Sequence, residues 1–236
     1  INCLYFRLID ANNRYMSLQT IIDFLEPVNI ARISHDEGFK DTQLGKHIAV
    51  YDESFPDITD ADMVLVGCGE MRGDGMQYTN TTSPDTIRSQ SYKLLHWPTD
   101  VKVADLGNVK CGATLHDSYA AMRTVVSELI EQRKKVIIIG GSHDNTTAQY
   151  QAYGSLNRII DAVCVDSRID LDMDSTLAAD HFLVDMFTGM PNYLKPYPHI
   201  GCQSYFLHPQ MRETINKLGF DCYLVGKVQD EVEEMD

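Results

Sequence analysis

KVIIIGGSHDNT (135–146) and DAVCVDSRIDLD (161–172) each begin as an apolar run of strand character and end in side chains that can hold a metal. The first ends in Gly140-Gly141-Ser142-His143-Asp144. The second ends in Asp166-Ser167-Arg168-Ile169-Asp170, with an arginine between two carboxylates. A continuous apolar run such as Lys135 to Gly140 suits a strand buried on both faces, which is the usual state of a strand in a parallel sheet.

The same alternation extends outward in both directions. MVLVGC (63–68), VKVADLG (101–107), HIGCQSY (199–205) and DCYLVG (221–226) read as further strands. Between them lie helical patterns: SPDTIRSQSYKLLHW, with Ser83 as N-cap and Pro84 at the first helical position; TLHDSYAAMRTVVSELIEQR; NTTAQYQAYGSLNRII; a stretch around 176–189; and HPQMRETINKLG. Strands separated by helices of this length imply right-handed crossovers. The expected fold is therefore α/β, a three-layer α/β/α sandwich with a mostly parallel, doubly wound sheet. Residues before 60 are less regular: SLQTIIDFLEPV reads as a helix up to Pro27, and GKHIAVYDE as an edge strand.

With 236 residues and 44% hydrophobic content, one α/β domain spanning 1–236 is the simplest organisation. The apolar runs are far shorter than a bilayer span, and INCLYFRLIDANNR lacks the pattern of a secretion signal. The chain starts without Met and ends in DEVEEMD, so it is expected to lack its C-terminal part. Six scattered cysteines (Cys3, Cys68, Cys111, Cys164, Cys202, Cys222) read as reduced residues of a cytoplasmic protein. A formal charge of −14 and the absence of a basic stripe argue against a nucleic-acid partner.

In open parallel sheets, ligands bind beyond the carboxyl ends of the strands. There the chain places Gly67, Gly69, Glu70, Arg72, Gly73, Asp74 and Gly75 in one loop, His143 in a second, and Asp166 to Asp174 in a third. Neither glycine loop has phosphate-loop spacing, and both carry carboxylates that repel phosphate. An imidazole beside carboxylates suits a divalent ion instead. If the two strands are neighbours, His143 and Asp166 converge, and Asp170, four residues on, reaches the same point. Asp172 and Asp174 read as solvated or turn-capping groups.

GGSHD followed by VDSRIDL resembles the paired metal motifs of the ureohydrolase superfamily, the arginase, agmatinase and formimidoylglutamase group. GCGEMRGDG and TTSPDTIR are similar to its first-strand loop and its following helix start. The four matches fall in the family's order between about residues 63 and 226, closest to a formimidoylglutamase-like branch. The resemblance implies that His143, Asp166 and Asp170 are metal ligands and that the family's binuclear Mn2+ centre activates water against a guanidino or formimino carbon. It also implies that a histidine beyond the second motif protonates the leaving amine, a role for which His181 is the candidate. The partner is then a small-molecule guanidino or formimino substrate, and the assembly a homo-oligomer.

Two departures alter the expectation. The family's third metal motif, an SFDxDxxDP-like strand end, is not found, and Arg168 stands where the family has a histidine ligand. A guanidinium has no lone pair to give. At about 4 Å from a divalent ion it is repelled by about 8 kcal/mol at an effective dielectric near 20. This chain is thus expected to hold one Mn2+ or none. Strand alternation puts Arg168 on the face of Asp166, where its guanidinium is expected to pair with that carboxylate in place of the second ion. A variant has it grip a substrate carboxylate, and the plainer alternative is that it merely neutralises a carboxylate cluster. The functional expectation is a metal-dependent hydrolase of a linear amidine C–N bond; the alternative is a catalytically impaired relative with a binding or regulatory role.

Overall fold

The computed structural model describes residues 20–34, 38–77, 82–97 and 100–227. Cys3, the beginning of the expected N-terminal helix and the acidic terminus lie outside the described residues. The chain divides into two compact units: residues 1–72 with 76–141, and residues 73–75 with 142–236.

The first unit is built on a five-stranded sheet. Its strands are β1 (Leu25–Glu26), β2 (Ala49–Val50), β3 (Met63–Cys68), β4 (Val103–Val109) and β5 (Lys135–Ile139). Along the sheet the order is β1-β4-β3-β5, with β2 also pairing β4. Every pairing is parallel except β1 with β4, where Leu25 faces Val109. The expected helix up to Pro27 is corrected here: residues 20–22 are helical, but Leu25 and Glu26 are extended along β4. GKHIAVYDE does supply an edge strand, in register Ala49 to Ala104.

β3 and β4 are the buried centre, with Val64, Val66 and Leu106 fully enclosed. β5 is not. It forms one edge of this sheet, and its pattern alternates between exposed and half-buried, so its apolar run does not mark a strand covered on both faces within this unit.

The helices of the unit are α1 (Ile30–Ile33), α2 (Ser83–Ser91) and α3 (Leu115–Glu131). Met122, Val125, Val126, Leu129 and Ile130 recur at the spacing of one helix face, and all are buried. Thr114 and Asp117 close a reciprocal capping box at the start of α3, worth about 1 kcal/mol. α2 starts one residue differently from the reading above: Thr82, not Ser83, is its N-cap.

A buried polar knot ties α2 to β4. Arg88, fully enclosed, makes two bonds to the Asp105 carboxylate, Nε to Oδ2 at 2.7 Å and Nη2 to Oδ1 at 2.8 Å. Its remaining N–H groups reach Asn108 Oδ1, Asp85 Oδ1 and the Gly107 carbonyl. All five donors of the guanidinium are thereby used, which is the condition for burying such a cation. Tyr92 adds its hydroxyl to Asp105.

The second unit carries a three-stranded parallel sheet of β6 (Cys164–Val165), β7 (His199–Cys202) and β8 (Cys222–Leu224), in that order. Helices α4 (Thr146–Ser155), α5 (Ala178–Thr188) and α6 (Pro209–Leu218) belong to it. Its core gathers Ile169, Leu171, Phe182, Leu183, Met186, Tyr197, Cys202 and Met211. Gly219 ends α6 at φ +68°, a left-handed position natural to glycine. The expectation of six reduced cysteines is corrected at one pair: Cys202 and Cys222 are joined as a disulfide between β7 and β8, while Cys68, Cys111 and Cys164 take part in no disulfide among the described residues. Among the described residues, no helix is long and apolar enough to cross a membrane.

Candidate functional site

Gly140 and Gly141 lie at φ +82° and +81°, a conformation that side chains resist, and this turns the chain out of β5 into the next loop. His143 then opens a short 3-10 turn, His143–Asn145. Asn145 locks the turn by donating its side-chain amide to the Ser142 carbonyl at 2.8 Å. Asp144 is fully buried against Gly73, where an added Cβ would come within 2.1 Å of its carboxylate.

Asp166 follows directly on β6. Its N–H donates to the Ile200 carbonyl at 3.0 Å, and its own carbonyl accepts from His199 Nε2 at 3.0 Å. His199 is itself buried, which holds its imidazole below the usual range, so the neutral ring donates through Nε2. Four residues on, Asp170 sits between Ile169 and Leu171, both buried in the core. Burying the neighbours on either side turns the Asp170 carboxylate the other way.

It points to His143. The distance from His143 Nδ1 to Asp170 Oδ2 is 3.1 Å, and to Asp166 Oδ2 it is 3.6 Å. The hydrogen bond to Asp170, reinforced by the charges of Asp170, Asp166 and Asp74, pushes the imidazole up to about 9 against the cost of partial burial. The three residues singled out from sequence are therefore brought together.

Donor atoms each about 2.1 Å from one ion stand roughly 3.0 to 3.4 Å apart, depending on geometry. The His143 to Asp170 distance falls in that range and the distance to Asp166 lies just outside it. The donor set, one imidazole and two carboxylates, suits manganese or a similar ion. Even so, among the described residues no group of three or more His, Cys, Asp or Glu side chains stands ready to hold a metal. His143 Nδ1 is instead joined directly to Asp170. The residue types and spacing fit an ion; the hydrogen bond between them must open to admit it.

Arg168 does not do what strand alternation predicted. The chain leaves β6 at Val165, and Ser167 and Arg168 form a bend, so a period of two no longer applies. Asp166 Oδ1 accepts the Arg168 backbone N–H at 3.1 Å, while the guanidinium lies over the Phe206 ring, 4.6 Å from its centroid. The expected pairing of the guanidinium with Asp166 is thus corrected: among the described residues, no ion pair includes Arg168.

Phe206 belongs to the 3-10 turn Ser204–Phe206 after β7. Arg168, Phe206, Asp170, Asp172, Asp180, Tyr205 and His208 are among the residues lining a cavity of about 270 Å³. Phe206 and His199 were missed in the sequence, since neither lies in a motif. The only hint was that both fall in the strand-and-loop segment HIGCQSYF. Asp172 caps a turn, accepting the Asp174 N–H at 3.0 Å. His181 lies in the first turns of α5, half-buried, and its Nδ1 is enclosed with no hydrogen-bond partner among the described residues.

The family model described as Arginase family matches residues 61–232. Among solved structures, the Trypanosoma cruzi formiminoglutamase with two Mn2+ is similar at 16% identity and a TM-score of 0.69, covering 81% of this chain and 68% of that one. The formimidoylglutamase of Bacillus subtilis is similar at 15% identity and a TM-score of 0.66, covering 94% and 68%. A Trypanosoma brucei arginase-like protein is similar at 14% identity and a TM-score of 0.56, covering 92% and 67%. That structure is a triple mutant, two serines changed to aspartate and one arginine to histidine, bound with Mn2+. No curated protein matches the chain.

Proposed function

The chain belongs to the arginase family of ureohydrolase-type hydrolases, and from that membership we propose that it is a metal-dependent hydrolase cleaving a C–N bond of a linear amidine, a guanidino or formimino compound. The observation that carries this reading is the convergence of His143 on Asp170 and Asp166 at 3.1 and 3.6 Å. These three residues would hold a manganese ion. When bound, it supplies Lewis acidity that lowers the pKa of a water and polarises the amidine.

The remaining roles fall to the chain's own side chains. Arg168, at the wall of the cavity, takes an anionic group of the substrate, since its guanidinium makes no ion pair among the described residues. The carboxylates of Asp172 and Asp180 in the same cavity favour a cationic amidine end. His181 delivers the proton to the leaving nitrogen; its enclosed, partnerless Nδ1 supports a role completed by a ligand. We read residues 1–236 as one ureohydrolase-like domain, as the match across residues 61–232 supports. Three cysteines outside any disulfide support a cytoplasmic setting, and the Cys202–Cys222 bridge weighs against it.

A second reading has its own observation. Arg168 occupies a ligand position, and among the described residues no three side chains are poised for a metal. That arrangement fits a catalytically impaired family member that binds rather than cleaves. Metal analysis of the full chain after incubation with Mn2+, together with ammonia, urea or formamide release from a panel of guanidino and formimino compounds, separates the two. Bound manganese with turnover supports the hydrolase. A chain that takes up no ion and turns over nothing supports the binding protein.

A further inference from the structure

A guanidinium two residues from one carboxylate and two from another has an obvious partner in either, through short charge-assisted bonds. Arg168 lies between Asp166 and Asp170 in sequence and shares a cavity with Asp170, Asp172 and Asp180. Its guanidinium is nonetheless stacked on Phe206 at 4.6 Å, well inside the range for a cation over an aromatic face. We propose that Phe206 is a positioning residue that parks the Arg168 guanidinium away from His143, Asp166 and Asp170 and thereby sets the affinity of these residues for a divalent ion. This inference rests on the metal-site reading above and goes beyond it, because it assigns a role to a ring that has no lone pair to offer an ion.

The backbone prepares the parking place. Asp166 Oδ1 holds the Arg168 N–H at 3.1 Å, fixing the bend from which the side chain departs. The Gln203 N–H donates to the Ser167 carbonyl at 2.9 Å, tying that bend to the turn that carries Phe206. The Phe206 ring is itself supported by Tyr205, with centroids 4.7 Å apart. Bend, turn and ring are therefore held together independently of the guanidinium.

The electrostatic consequence has a definite sign. Off Phe206, the guanidinium neutralises the carboxylates and competes with an incoming ion for the same oxygens. On Phe206, the carboxylates keep their charge and the ion meets less repulsion. An aromatic face therefore substitutes for the missing counter-ligand by removing a competitor.

The test is Mn2+ affinity of the full chain, read from the free Mn2+ signal in electron paramagnetic resonance titrations. Phe206→Leu removes the aromatic face and keeps an apolar side chain; it is expected to weaken Mn2+ binding roughly tenfold, about 1.4 kcal/mol. Phe206→Trp is expected to hold wild-type affinity. The double variant Phe206→Leu with Arg168→Met is expected to recover it, since no cation remains to swing inward. If Phe206→Leu binds as tightly as wild type, the positioning role is overturned. If the double variant is as weak as Phe206→Leu alone, the ring acts only structurally and the proposal also fails. Wild-type chain that takes up no Mn2+ overturns the metal-site reading itself, and the positioning role with it.

Discussion

His143 and Asp170, 27 residues apart in sequence, meet at 3.1 Å between Nδ1 and Oδ2. If that pair is one edge of an ion site, Asp170→Asn leaves a side chain of the same shape without its charge. The expected result is a loss of Mn2+ affinity of more than about a hundredfold, exceeding what is typical when only a supporting group is removed. Isothermal titration with Mn2+ measures it, and unchanged affinity would sink the assignment.

Arg168→His puts a lone pair where the family has a ligand. Manganese per chain, measured by elemental analysis, is expected to rise, and amidine hydrolysis with it. Unchanged metal content would show that Arg168 does not limit ion uptake.

Glu70 supplies the pH prediction. Burial raises its carboxyl, but the bonds from Arg72 and Ser118 outweigh this and hold it below the ordinary value of 4.5. A depressed carboxylate stabilises the fold above its unfolded value and loses that contribution as pH falls through its folded one. Glu70→Gln is therefore expected to cost about 2 kcal/mol at pH 7, at the low end for such pairs because Arg72 still reaches solvent. The gap to wild type should be full at pH 7 and narrow in acid, as pH falls from the ordinary value of 4.5 through the lower folded one. Urea unfolding at both pH values decides it; a gap that persists in acid would contradict the account.

The Arg88 and Asp105 knot predicts a non-additive pair. Asp105→Asn strands a buried guanidinium and should cost about 3–5 kcal/mol. Arg88→Met with Asp105→Leu removes both charges and should recover much of that loss, because a buried ion pair replaced by apolar groups is often near neutral. A double variant as unstable as the single one would mean that the knot's value lies in its geometry.

The sequence carried the architecture because its strands announce themselves by composition: β3 and α3 occupy nearly the residues read for them. It also singled out His143, Asp166 and Asp170, whose side chains the fold brings together, since each comes within a few residues of a strand end. Where it failed, the determinants were non-local. The path of Arg168 depends on a bend at Ser167 and on a ring 38 positions away, neither of which leaves a periodic trace. β6 shrank to two residues although AVCVDS has strand composition, and its Val163 and Val165 are largely exposed. The Cys202–Cys222 bridge was invisible for a similar reason, because cysteines 20 residues apart become neighbours only when β7 and β8 pair.

Ile169 and Leu171 are anchored in the apolar interior while Asp170 between them faces the imidazole. Hydrophobic packing is thus the gunsight for this acid. A mutation that only trims a methyl group from either neighbour should misdirect the carboxylate before it unfolds the protein. Stability and the aim of the carboxylate are thus coupled at this tripeptide.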